Sequence, residues 1–437
     1  MKCSENKRLI YMVSLGCDKN RVDTEHMLYM LLKNNAALTD KPKDADVIIV
    51  NTCGFIEDAK RESIDAILEM AQYKRTGKKA LIVTGCLAQR YASKLKKQMP
   101  EVDAFLGVSA YSRLNEAVNA ALSGEKYVCR ERVDGQLSGR VLTTPAHTAY
   151  VRISDGCSNR CSYCAIPMIR GPHKSRGLKS VLDEICFLRE SGVREAILIA
   201  QDTTRYGEDL GELMLPKLVA EAADIMRDGW LRLMYCYPEG ISDRLITTML
   251  QKSCVCRYID MPIQHFSDNV LRRMNRRHTG EAAANLVNRL HDAGFALRTS
   301  LITGFPGETE SDFEKLLEYV EKLRFENLGV FCYSAEEGTP AAKMRGRIKA
   351  DEITRRRDMV MSLQAKISRS VCAEQKGKKV KVLIDGRDGE TFIGRTQRQA
   401  PDVDGQVLIN TKKHLTRGSF RDVLIKDTDD YDLIGVI

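Results

Sequence analysis

Short apolar runs rich in β-branched residues alternate with amphipathic stretches along most of this chain, and that beat leaves few folds open. The first series fills about 120 residues: "RLIYMVSLGC" is followed by "VDTEHMLYMLLKNN", "ADVIIVNTCGF" by "AKRESIDAILEMAQYK", "KALIVTGCLAQ" by "ASKLKKQM", and "VDAFLGVS" by "SRLNEAVNAALSG". Runs apolar on both faces need helices above and below, so residues 1–125 are expected to form a parallel-sheet α/β domain of Rossmann or flavodoxin type. A second series has the strands "AYVRISDG", "REAILIAQ", "WLRLMYCYP", "CRYIDMPIQ", "FALRTSLITGFPG" and "NLGVFCYS". Six such repeats over residues 148–370 predict a partial (βα)6 barrel of TIM type, with its site at the C-terminal ends of the strands. Residues 126–147, with "DGQLSGR" and "TTPAHT", read as a linker. Beyond the charged segment "ADEITRRRDMVMSLQAKISRSVCAEQKG" the texture changes to "KKVKVLIDG", "TFIGRTQ", "GQVLINT", "FRDVLIKD" and "DLIGVI". Short strands with Gly and Asp turns predict a small antiparallel β-barrel over residues 371–437.

No apolar run approaches the roughly 20 residues that cross a bilayer, and "MKCSENKRLIYMVSLGC" lacks the pattern of a signal peptide. A cytoplasmic protein without a membrane partner is expected. In that compartment 14 cysteines in 437 residues point to metal ligation or catalysis rather than disulfides. The net charge of +9 is compatible with a nucleic-acid or ribosomal partner and equally with an ordinary basic surface.

The stretch "SDGCSNRCSYCAIPMIRG" places Cys157, Cys161 and Cys164 just after the first strand of the second series. A closed zinc site wants four ligands, and the near candidate for a fourth is His173. Three thiolates on one loop more naturally hold three corners of a 4Fe-4S cube and leave its fourth iron open for a small molecule. Cys17, Cys53 and Cys86 are far apart in sequence, yet each ends a predicted strand beside a glycine, Gly16, Gly54 or Gly85. Alone, a strand-end cysteine is usually an inert buried side chain. Three at one edge of a parallel sheet suggest a second three-thiolate cluster. Cysteines 3, 129, 186, 236, 254, 256, 332 and 372 fit no ligand geometry and are read as structural or free.

The C-x-x-x-C-x-x-C spacing after the first strand of a β-α series resembles the signature of radical S-adenosylmethionine enzymes, and Tyr163 matches the aromatic that stands before the last cysteine in that family. Taken with "NTCGFIEDAKRES", "GCLAQRY", "YIDMPIQH", "GFPGETESDFE" and the terminal barrel, the whole chain resembles the methylthiotransferases, whose C-terminal module is a TRAM domain. The resemblance implies two 4Fe-4S clusters and two S-adenosylmethionine molecules. One would give a methyl group to sulfur on the N-terminal cluster; the other would be cleaved to a radical that takes hydrogen from the substrate. An electron donor such as flavodoxin or ferredoxin is implied as a partner.

Two branches of that family differ in substrate. "SLGCDKNRVDTEHM", "GFIEDAKRES", "DMPIQHFSDNVLRRMNR" and "VFCYSAEEGTPAA" resemble the branch acting on the β-carbon of an aspartate in small-subunit ribosomal protein twelve, alone or in the assembled subunit. The other branch modifies an adenosine of transfer RNA. From Val371 onward 12 Lys and Arg stand against 11 Asp and Glu, whereas an RNA grip would be clearly basic. RNA contact remains an expectation through "LRRMNRRHTG" and "MRGRIKADEITRRR", whose plainer reading is a solvated helix face. A third alternative, from another class, is a non-catalytic metal-binding protein of ribosome assembly.

Beyond the cluster ligands no catalytic residue is legible. Strand-end position makes Gln201 in "LIAQDTTRYG" and Gly304 in "LITGFPGETESDF" candidates, with Tyr163, for contacts to S-adenosylmethionine. The latter stretch also reads as a plain strand-to-helix turn with Glu308 or Asp312 in the first helical turn. Gln264 and His265 are expected at the same rim, touching substrate or satisfying backbone groups.

Overall fold

The apolar runs near the N-terminus become the middle of a sheet. A computed structural model describes residues 7–74, 79–131 and 139–437, and its chain falls into two compact units. Cys3 and the "DGQLS" of the linker lie in part or whole outside these residues. The first unit comprises residues 1–143 together with 156–158 and 164–172. Its elements are β1 Arg8–Ser14, α1 Asp18–Lys33, β2 Ala36–Leu38, β3 Val47–Thr52, α2 Glu57–Lys74, β4 Ala80–Gly85, α3 Cys86–Gln98, β5 Ala104–Leu106, α4 Leu114–Leu122 and β6 Tyr127–Cys129. The strands are all parallel, in the order β2-β1-β3-β4-β5-β6.

Every residue of β3 and β4 is buried, which is why neither alternates in sequence. Successive side chains point to opposite faces. Ile49, Ile82 and Leu106 therefore pack with Met27, Leu31, Leu114 and Val118, while Ile48, Val50, Leu81 and Val83 pack with Ile67, Met70, Leu87 and Leu95. The stretch read as a linker is partly structured. Residues 127–129 form the sixth strand, and Arg140 pairs through its guanidinium with the buried Glu25 carboxylate, which also accepts the Thr143 N–H at 2.8 Å. A three-residue edge strand followed by polar chain has too little periodicity to stand out in the sequence.

The short helix α5, Ile166–Arg170, also belongs to this unit: Ala165 and Ile169 join the apolar cluster of Met27 and Leu114.

The second unit comprises residues 144–155, 159–163 and 173–437. It opens with β7 Thr148–Arg152, a two-residue ladder of β8 Ser154–Asp155 with β9 Lys174–Ser175, α6 Leu178–Glu190, β10 Glu195–Ile199, α7 Leu215–Ile225, β11 Trp230–Leu233 and α8 Asp243–Gln251. It continues with β12 Tyr258–Asp260, α9 Asp268–Arg273, α10 Gly280–Asp292, β13 Ala296–Thr303, α11 Glu310–Leu323, β14 Asn327–Cys332 and the long α12 Ala350–Ala373. Two parallel sheets, β7-β10-β11 and β12-β13-β14, are joined by a bridge from Leu231 to Val255, giving the six-stranded open barrel.

The final strands β15 Lys379–Asp388, β16 Thr391–Arg395, β17 Val407–Ile409, β18 Phe420–Thr428 and β19 Leu433–Val436 close into a barrel in the order β15-β16-β17-β19-β18. One pair departs from the expected antiparallel plan. β17 and β19 run parallel, because β18 is placed across the barrel and returns the chain beside β17 in the same direction.

This barrel seats against the N-terminal ends of the parallel strands, leaving their C-terminal ends free for chemistry. Trp230, the first residue of β11, packs on Phe420 with ring centroids 5.0 Å apart. Glu195, the first residue of β10, pairs with Arg232 at 2.8 Å and with Arg395 at 2.7 Å, and Arg395 reaches on to Asp385. Asp404 accepts from Tyr258 Oη at 2.8 Å and pairs with Arg298 at 2.7 Å. Burial alone would raise the Glu195 carboxyl, but the Arg395 and Arg232 charges hold it below its ordinary value. No helix among the described residues is long and apolar enough to cross a membrane.

Glu195→Ala should leave two buried guanidinium groups without their shared carboxylate. A loss of about 3–5 kcal/mol in denaturant unfolding is expected, and a change under 1 kcal/mol would show that the network relaxes into solvent.

Candidate active site

Six of the cysteines follow the C-terminal ends of strands. In the first unit, Cys17 follows β1, Cys53 follows β3 and Cys86 follows β4, three adjacent strands in the sheet. The chain order reverses between β1 and β3, and that switch point is where open α/β sheets present a crevice. Cys17 is the N-cap of α1 and Cys86 the first residue of α3, so both side chains stand at helix N-termini.

Close backbone approach makes this edge. A Cβ at Gly16 would lie 2.9 Å from Cys53 Cβ and 3.2 Å from its Sγ; one at Gly85, where φ is +96°, would lie 2.3 Å from the Thr52 carbonyl oxygen. Buried polar groups beneath the cysteines tie the strand ends together. Asn20 Nδ2 donates to the carbonyls of Leu15 and Thr52, at 2.8 and 3.0 Å. Asn51 Nδ2 donates to the Asn20 carbonyl at 2.9 Å and to Thr24 Oγ1 at 2.8 Å. Ser63 on α2 brackets Cys53, its Oγ accepting the Cys53 N–H at 3.0 Å and donating to the Cys53 carbonyl at 2.9 Å.

Arg170 on α5 is buried here, 2.8 Å from Asp23 and 3.3 Å from Asn20, with Nη2 4.0 Å from Cys86 Sγ. Burial pushes the Cys86 thiol up to about 12 against the pull of Arg170, and Cys17 and Cys53 add to the rise. Burial likewise raises Cys53, opposed by the Phe55 backbone amide and aided by Cys17. A metal bound to thiols so placed would have to displace their protons.

In the second unit, residues 159–163 of the cysteine loop are clamped by the strand ends. Asn159 donates to Asp202 at 2.7 Å and accepts from Arg205 at 2.6 Å, both just beyond β10. Cys161 Sγ is 3.2 Å from Tyr237 Oη, beyond β11. Ser162 accepts from the Ala341 N–H and donates through its own N–H to Met274 and its Oγ to Arg273. Tyr163 meets Phe305 edge-on, centroids 6.4 Å apart, and packs with Val270, Met274 and Ile302. Cys157 and Cys164 belong to the first unit, where the Cys157 N–H donates to the Gly171 carbonyl at 3.1 Å.

Gln201 donates through Nε2 to Asp155 at 3.1 Å, and its Oε1 is buried with no partner among the described residues. Such an orphaned acceptor at a strand C-terminus suits a ligand donor. Gly304 has a structural reason of its own. Its N–H donates to Glu308 at 2.7 Å, its φ is +79°, and a Cβ would lie 2.3 Å from Ile353 Cγ1. Glu308 precedes α11 and pairs with Arg356 at 2.8 Å, whereas Asp312 lies in the first turn and completes a capping box with Thr309. His265 is wholly buried rather than at the rim: its Nδ1 accepts the Ser267 N–H at 2.9 Å and burial pushes it down to about 3. Gln264 is half-buried and bridges backbone to Leu301.

Among the described residues no three His, Cys, Asp or Glu side chains stand close enough to hold a single metal ion. His173, the candidate fourth zinc ligand, bonds Ser175 Oγ at 3.1 Å. The donor set fits a larger group, soft thiolates spread over three strand ends or one loop. The basic runs are not simply solvated. Arg276 and Arg356 are 7% and 5% exposed, and Arg273 donates to the Pro306 and Arg345 carbonyls. Asn20, Asn51, Ser63, Arg170 and Tyr237 carried no sequence signal beyond nearness to the cysteines or "IPMIRG", and Arg276 was marked only as part of the basic run "LRRMNRRHTG".

Comparison with known proteins agrees with this layout. The model of the Radical SAM superfamily matches residues 151–320, the TRAM domain model residues 377–437, and the model described as "Uncharacterized protein family UPF0004" residues 9–107. A radical S-adenosylmethionine methyltransferase, TsrM from Kitasatospora setae, shares the fold, with a TM-score of 0.55 at 14% identity over 88% of this chain and 79% of that one. These matches define a radical S-adenosylmethionine enzyme with a TRAM barrel. "Ribosomal protein uS12 methylthiotransferase RimO" of Clostridium tetani is 46% identical over 97% of both chains, and that of Lachnoclostridium phytofermentans 47% identical over 98% of this chain and 99% of the other. The chain belongs to the family of ribosomal protein uS12 methylthiotransferases.

Gly85 and Gly192 share a positive φ, +96° and +97°, but nothing lies within 4 Å of a Cβ at Gly192. Gly192→Ala should cost about 1 kcal/mol in unfolding free energy, the conformational term alone. Gly85→Ala should cost at least about 2 kcal/mol more, because the Thr52 carbonyl must move. Equal losses would mean that the strand ends are not tightly apposed.

Proposed function

We propose that this chain attaches a methylthio group to ribosomal protein uS12, at the β-carbon of an aspartate, by radical S-adenosylmethionine chemistry. The observation that carries the reading is 46% identity, over 97% of both chains, to a uS12 methylthiotransferase. The cysteine placement supports it. We assign Cys157, Cys161 and Cys164 to a 4Fe-4S cluster that binds S-adenosylmethionine, and Cys17, Cys53 and Cys86 to a second 4Fe-4S cluster. When bound, these groups supply the electron, the methyl group and the sulfur, none of which a side chain can provide.

What the chain's own residues do is position and shield. Asn159, Ser162 and Tyr163 fix the loop's path through Asp202, Met274 and Phe305, so that ligands arrive at a preorganised place. The orphaned Gln201 Oε1 is the acceptor we assign to S-adenosylmethionine, with Tyr163 packing beside it in role; Gly304, its amide already bonded to Glu308, shapes the turn. The apolar cluster of Phe305, Met274 and Tyr333 around Tyr163 keeps water from that place, as radical chemistry requires. Flavodoxin or ferredoxin is the electron donor we expect. Two readings fall behind: a transfer-RNA substrate lacks a basic terminal barrel, and a non-catalytic metal-binding role in ribosome assembly would use the cysteines but does not account for 46% identity to a methylthiotransferase.

Mass spectrometry of uS12 from cells with and without this protein should show a methylthio increment on one aspartate only when it is present. Anaerobically reconstituted protein should hold about eight iron per chain. Cys157→Ser should abolish S-adenosylmethionine cleavage, whereas Cys53→Ser should keep cleavage and lose product. Full product formation by Cys53→Ser would remove the second cluster from the reaction.

A further inference from the structure

Cys161 differs from a cysteine that merely lines a loop, because two polar side chains of the second unit are aimed at its sulfur. Tyr237 Oη lies 3.2 Å from Sγ, and Arg276 Nη1 lies 3.9 Å from it. The two are themselves stacked, the Arg276 guanidinium carbon 3.8 Å from the Tyr237 ring centroid. Arg276 is 7% exposed, donates through Nη2 to the Pro262 carbonyl, and has no acceptor for Nε among the described residues. The segment that carries it is pinned by Glu239, whose carboxylate accepts the Arg277 N–H at 3.2 Å and meets the His278 ring at 3.1 Å. Burying a cation this completely is costly; the sulfur and the phenol stand nearest to this one, and the Glu239 carboxylate acts on it only from beyond salt-bridge distance.

We propose that Tyr237 and Arg276 are positioning residues that donate to the Cys161 thiolate and raise the reduction potential of the cluster it holds. The inference rests on the assignment of Cys157, Cys161 and Cys164 as cluster ligands. Between a thiol and a phenol either group can donate, but a thiolate bound to iron can only accept, so ligation fixes Tyr237 as the donor. Reduction adds negative charge that spreads onto the ligand sulfurs. Donors and a cation at one of those sulfurs stabilise the reduced state more than the oxidised one, and the potential rises.

The test is a redox titration of the two-cluster enzyme followed by electron paramagnetic resonance, in which the signal altered by added S-adenosylmethionine identifies the cluster of the cysteine loop. Tyr237→Phe removes one hydroxyl from the stack. It should keep the iron content and melting temperature of the parent yet show a more negative midpoint, with a reduced-to-oxidised ratio at fixed poise several-fold lower; tenfold would be 59 mV for a one-electron couple. Arg276→Lys, which keeps the charge but loses the planar fork, should shift the midpoint the same way. An unchanged midpoint in both variants at full iron content overturns the proposal. So does loss of the signal from Tyr237→Phe alone, which would make the hydroxyl a structural clamp. If the parent gives no signal sensitive to S-adenosylmethionine, the ligand assignment itself falls and this inference with it.

Discussion

A parallel strand must end in a loop at one fixed edge of its sheet, and the chemistry-bearing side chains of this protein stand at such edges. Cys17, Cys53 and Cys86 end β1, β3 and β4; the 157–164 loop follows β7 and β8; Gln201 follows β10 and Tyr237 follows β11. The constraint is topological. Helices that return the chain to the start of the next strand cover both faces, so the strand ends are where side chains of distant sequence can meet without crossing a packed core. The opposite edge of the open barrel is spent on stability: there Glu195, Arg232, Arg298 and Asp404 fasten the terminal barrel.

Buried arginines extend this fastening through both units. Arg140, Arg170, Arg232, Arg276, Arg356 and Arg395 are each under 9% exposed, and each has at least one partner far away in sequence. A guanidinium reaches several acceptors at once in a fixed plane, which a lysine cannot do. Arg356 joins Glu308, Glu310 and Glu352, linking the turn before α11 to the long α12. Part of the chain's positive charge is thus internal mortar, and a count of basic residues overstates the surface available to RNA.

Periodicity makes the larger features legible in the amino-acid sequence: both β-α series, the terminal barrel and the strand-end cysteines are local patterns. What escapes it is relational. The strand Tyr127–Cys129 is too short to show a period, and the parallel β17–β19 pair depends on where β18 crosses the barrel. "LRRMNRRHTG" reads as a charged face, yet Arg276 turns inward because Pro262, Tyr237 and Cys161 wait for it there. Of the two expectations for His265, the structure shows the backbone one: its Nδ1 accepts the Ser267 amide. No short window of sequence joins Arg276 to Tyr237 or to Cys161.

The two cysteine triads share one electrostatic solution. At the first edge burial opposes ionisation of Cys53 and Cys86, and neighbouring thiols add to the rise. In each unit a buried arginine answers at one sulfur, Arg170 at Cys86 and Arg276 at Cys161. Each arginine is in turn held by groups that do not cancel it fully at the sulfur. Arg170 spends its charge on Asp23 while Nη2 still faces Cys86; Arg276 is fixed by a neutral carbonyl and an aromatic ring. The two arginines therefore differ in how they are compensated: Arg170 is paired directly with the Asp23 carboxylate, whereas Arg276 meets no carboxylate within salt-bridge distance among the described residues and feels Glu239 only from farther off.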